Sequence, residues 1–121
     1  MMMLTKEIKK KLAPLYSTEK SRGTAMVPLK FFDPLGSWTW YAWEAEEQVD
    51  IETGETDWLF FGLVEGFEKE LGYFSLGELM SVKAPWGGPR IERDLHWKSI
   101  TVAELLRKVG MADLAQRIEE G

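Results

Sequence analysis

Two apolar stretches dominate the pattern along the chain, Trp38-Thr39-Trp40-Tyr41-Ala42-Trp43-Glu44 and Trp58-Leu59-Phe60-Phe61-Gly62-Leu63-Val64. The segment between them is polar and carries turn chemistry at Glu52-Thr53-Gly54-Glu55. Aromatic and β-branched runs joined by a glycine-containing turn predict two antiparallel strands. Alternation puts Trp38, Trp40 and Ala42 on one face and Thr39, Tyr41 and Trp43 on the other. Both faces are apolar, so the hairpin is expected at the centre of a sheet covered on both sides, with Trp40 and Phe61 buried.

The flanking elements follow from the same pattern. Leu4, Ile8 and Leu12 recur every four residues among Lys6, Lys9, Lys10 and Lys11, which predicts a short amphipathic helix ended by Pro14. Ala25 to Phe32 reads as a strand, and Pro28 inside it demands an edge position or a bulge. Asp33-Pro34-Leu35-Gly36 is a turn. Leu71 to Phe74 predicts a short strand running into Ser75-Leu76-Gly77-Glu78, which has the spacing of a capping box, with Phe74 and Leu79 at the staple positions. Trp86-Gly87-Gly88-Pro89 marks a loop, and the alternation over Ile91 to Trp97 predicts a fifth strand. Thr101-Val102-Ala103-Glu104 is a second capping box, Gly110 a helix stop, and Met111, Leu114 and Ile118 one side of a last helix. The expected fold is α+β: one domain over residues 1–121, with a mainly antiparallel sheet of four to five strands and helices packed on it.

Composition narrows the chemistry. There is no cysteine and one histidine, His96, so no metal site built on Cys or several His is expected, and no cofactor is implied. No apolar run approaches the ~20 residues of a membrane span. The first residues lack the apolar core of a signal peptide, so a cytoplasmic protein is expected. Charge is unevenly placed: residues 1–30 carry +5, residues 31–81 carry −11 and residues 82–121 carry +1. That predicts a surface of two signs, which bears on partners and leaves the fold open.

The blocks Thr39-Trp40-Tyr41 with Glu44, Phe61-Gly62-Leu63-Val64, Glu70-Leu71-Gly72-Tyr73-Phe74-Ser75-Leu76 with Glu78-Leu79, and Ile91-Glu92-Arg93-Asp94-Leu95 carry a resemblance. The chain is similar to the bacterial family catalogued as domain of unknown function 2958, from about Leu4 to Trp97, with residues 100–121 as helices outside that core. The resemblance implies a small protein of plasmids and other mobile elements. It implies no activity, and no catalytic residue comes with it.

Three constellations could carry function. Glu44, Glu46, Glu47, Asp50, Glu52, Glu55 and Asp57 form an acidic run without a positive charge. It could be a solvated hairpin tip, a docking surface for a basic partner formed by Glu46, Glu47, Asp50, Glu52 and Glu55, or a cation site, although its order does not match an EF-hand loop. Trp86, Arg90 and Arg93 around two glycines could hold an anion, since Arg forks onto phosphate and Trp can stack on a base. The alternative is a tight turn with Trp86 packed on the sheet. Alternation turns Arg93 toward Leu95 and Trp97, and Glu44 toward Trp40, which predicts a structural ion pair between Glu44 and Arg93.

The first function expected is a non-enzymatic interaction module, an accessory protein of a mobile element docking onto a protein partner such as a host defence component. The second is a binder of a phosphorylated or nucleotide-like molecule. The third is a hydrolase using the acids beside His96, for which no nucleophile motif is present. The lysines of the first helix and the net charge of −5 do not favour nucleic acid.

Overall fold

A computed structural model describes residues 2–121. The expected hairpin is its longest feature: β3 spans Thr39–Val49 and β4 spans Thr56–Glu65. Asp50 builds the turn between them, its Oδ1 accepting from the Glu52 and Thr53 amides at 2.9 and 3.3 Å. Gly54 follows with φ +73°, a left-handed conformation that glycine adopts without a Cβ penalty.

β2 (Leu29–Phe32), β5 (Lys69–Ser75) and β6 (Glu92–Arg93) complete a five-stranded sheet in the order β5-β4-β3-β2-β6, antiparallel throughout. Pro28 divides the strand expected over residues 25–32. The residues before it form β1 (Met26–Val27), which pairs with β7 (Ile100–Thr101) in a separate two-stranded ribbon. A proline has no N–H for the ladder, so the chain changes sheets there. Among the described residues the α-helices are α1 (Lys6–Lys11), α2 (Leu76–Ser81), α3 (Val102–Lys108) and α4 (Ala112–Glu120). The fold is α+β.

Both faces of the sheet are covered. Leu29, Phe31, Trp40, Ala42, Phe60 and Phe74 form one core with Leu4 and Leu12, which flank α1, and Leu79 of α2. Val27, Tyr41, Trp43 and Leu63 form the other with Val102, Leu105 and Leu106 of α3 and Ala115 of α4. Trp40 is buried as expected, whereas Phe61 is only partly buried at the rim of the second core. Helix ends follow the sequence signals: Ser75 Oγ accepts from the Glu78 amide at 3.1 Å, and Thr101 with Glu104 closes a full capping box.

Two expectations need correction. The strand expected over residues 91–97 stops after Arg93, because Asp94 turns the chain: its Oδ1 accepts from His96 N at 2.9 Å and its carbonyl from Trp97 N. Leu95 therefore faces solvent. The ladder of β3 with β4 also slips between Ala42 and Glu44, leaving Trp43 as an extra residue. Beyond this bulge the alternation inverts. Ala45 now lies in the core of Trp40, while Glu44 stands across from Phe61, a residue of the opposite face.

Candidate functional site

The bulge removes Glu44 from the face where pairing with Arg93 was expected. Glu44 is 1% exposed and binds the loop after α1: its carboxylate accepts from Tyr16 N at 2.7 Å, Thr18 N at 3.2 Å and the Thr18 hydroxyl. Ala13 pairs beside it, donating to the Trp43 carbonyl and accepting from Ala45 N. The buried carboxylate is thus satisfied by two amides and a hydroxyl, with Tyr16 held at φ +69°. Arg93 is partly buried as expected, but its Nε donates to the Met2 carbonyl at 2.9 Å. The Glu44–Arg93 ion pair does not form.

The loop constellation also separates. Trp86 is 74% exposed rather than packed on the sheet. Arg90 donates from Nε to Asp33 Oδ1 at 2.9 Å, so its charge fixes the turn before β3. The same hydrogen bond holds the Asp33 carboxyl below its ordinary value, and amides of Leu35 and Gly36 add to the effect. Arg93 lines a different cleft, with residues of α1 and β2.

The acidic constellation does come together, as an arm. The outer half of the hairpin carries Glu46, Glu47, Asp50, Glu52 and Glu55, all exposed, and among the described residues none of them forms an ion pair. Asp50 differs from the rest, since one of its oxygens builds the turn. Strand alternation sends Glu46 and Glu47 to opposite faces, so no three acidic side chains converge as metal ligands among the described residues. Between the arm and the start of α2 lies a cleft of about 580 Å³ lined by Asp50, Glu55 and Asp57 together with Val49, Trp58 and Met80. Asp57 is anchored there, its Oδ1 accepting from Gly77 N at 2.9 Å.

Apolar residues project from the same region: Ile51 is 99% exposed, Val49 58% and Met80 51%. Counting charges along the chain did not single these out. The signal was available, because Val49 and Ile51 are β-branched residues within a polar segment, at the end of β3 and in the turn after it.

These features define an α+β protein with an acidic, apolar-tipped hairpin arm. The chain matches the model of the family described as protein of unknown function (DUF2958) over residues 3–118, and it belongs to that family. The match runs past the expected limit near Trp97 and takes in α3 and most of α4. No curated protein matches the chain. No solved structure matches it either. Among the described residues, no helix is long and apolar enough to cross a membrane.

Proposed function

We propose that the protein is a non-enzymatic interaction module that docks a basic partner protein through its hairpin arm. The observation that carries this reading is the pairing of unneutralised carboxylates with the exposed side chains of Val49 and Met80 around one cleft, next to the fully exposed Ile51 in the turn. Exposed apolar side chains clustered within a polar rim mark interaction sites, and a ring of one charge steers a partner of the other. The family resemblance offers the setting of a mobile element, and within it the partner proposed is a host defence component in the cytoplasm.

The test is affinity capture with the parent protein and with Glu47→Lys/Glu52→Lys/Glu55→Lys. The expected result is a protein with a basic surface that the parent retains, the variant loses, and added salt releases. Charge reversal on that partner should restore binding to the variant. Equal capture by both proteins would overturn the reading.

The binder of a phosphorylated molecule remains as a second reading, moved from the Trp86 loop to the cleft that Arg93 lines. The hydrolase reading gains no support: His96 is exposed, and among the described residues it bonds only through its backbone N–H.

A further inference from the structure

A cleft of about 240 Å³ opens between the end of α1 and the segment that follows β6, where β2 leaves the cover of β6. Four cationic residues line it from four parts of the chain: Lys11 in the last turn of α1, Lys30 on β2, Arg93 on β6 and Lys98 before β7. Asp94 is the one carboxylate among its lining residues. In a chain of net charge −5, such a gathering of like charge works against folding unless something offsets it.

The protein offsets only part of it. Asp94 Oδ2 lies 3.4 Å from Lys30 Nζ, which also sits 5.5 Å from the centre of the Trp97 ring. Arg93 uses Nε on the Met2 carbonyl, and among the described residues its two terminal nitrogens have no protein acceptor. Lys11 and Lys98 form no ion pair among those residues. Among the described residues, three cationic residues with unused donors, Arg93, Lys11 and Lys98, thus border one small polar cleft.

We infer that this cleft binds the phosphate group of a small phosphorylated molecule, with Arg93 as the forked donor and Lys11 and Lys98 as flanking charges. A dianion with three terminal oxygens uses all three cations, whereas a carboxylate would occupy the fork alone. The volume corresponds to roughly eight water molecules at ~30 Å³ each, enough for a phosphate and the first atoms of its ester. Leu95, 60% exposed at the rim, can meet the organic part. A long polyanion fits poorly, because the cations form one pocket rather than a stripe and the rest of the chain is acidic. The site is separate from the hairpin arm, which contributes no lining residue.

The test is a heteronuclear NMR titration of the full chain with inorganic phosphate, pyrophosphate, adenosine monophosphate and adenosine. The phosphorylated probes should give saturable shifts at the amides of Lys30, Arg93, Asp94 and Lys98, and adenosine should give none. Lys11→Gln/Lys98→Gln should weaken binding at least about tenfold while melting at or slightly above the parent, because both residues are exposed and their mutual repulsion is removed. Arg93→Lys, which keeps the charge and loses the fork, should weaken it as well. Charge reversal on the arm should change nothing. Shifts that rise without saturating, or adenosine shifting the same amides as its monophosphate, would overturn the inference. Duplex DNA moving those amides at lower concentration than any small probe would overturn it too.

Discussion

Replacing Glu44 by alanine should be among the most damaging single changes in this protein. The substitution strips acceptors from Tyr16 N, Thr18 N and the Thr18 hydroxyl, around a side chain that is 1% exposed. Leaving a buried donor without an acceptor costs ~1–3 kcal/mol, so two amides alone imply roughly 2–6 kcal/mol. A domain of this length has a total stability of roughly 6–18 kcal/mol. Each kcal/mol shifts the melting temperature by about 3–5 °C at this size, so a fall of about 10–20 °C is expected by calorimetry or circular dichroism. A double-mutant cycle identifies the cause. Thr18→Val should couple to Glu44→Ala by about 1–2 kcal/mol, whereas Arg93→Ala should couple by about zero. A fall of less than about 3 °C, or strong coupling to Arg93, would refute the assignment of Glu44 to the loop after α1.

Gly62→Ala should destabilise strongly, because its Cβ would lie 1.7 Å from the Tyr41 carbonyl oxygen and 2.9 Å from Ala42 Cα, backbone atoms held by the ladder. Gly72→Ala, opposite it on the edge strand with nothing within 4 Å, should melt within a few degrees of the parent, and thermal denaturation of the pair separates close approach from general loss of glycine. Stability should also depend on pH through Asp33. Arg90 depresses its folded-state pKa below the ordinary 3.8, so this contribution is present above about pH 4 and is lost as pH falls through the lowered value. Asp33→Asn should flatten that part of the stability profile measured by denaturant titration.

Much of the fold was legible because the strongest signals were local. The hairpin, the two capped helices and the burial of Trp40 follow from residue type and period within a dozen positions. What alternation could not show was the bulge at Trp43, which depends on how β4 registers against β3 and inverts every side chain beyond it. Glu44 was therefore read as an inward carboxylate paired with Arg93, whereas it is buried against the amides of Tyr16 and Thr18. Arg93 was misread for a related reason: Asp94 captures the His96 amide and ends the strand two residues in, so Leu95 never reaches the core. The acidic arm was visible as a charge run, but the cationic cleft was not. Lys11, Lys30, Arg93 and Lys98 are spread along the chain, and only tertiary packing brings them together.

Docking through the arm, as proposed above, can be read out by photo-crosslinking from the arm itself. A benzophenone amino acid at Ile51 sits at the exposed tip and should not disturb the fold, and the same probe at Met26, on the two-stranded ribbon, serves as the control. The expected result is an adduct with one basic protein from Ile51, diminished by salt and by Glu47→Lys/Glu52→Lys/Glu55→Lys, and absent from Met26. The same adducts from both positions, or an Ile51 adduct indifferent to salt and to charge reversal, would contradict it.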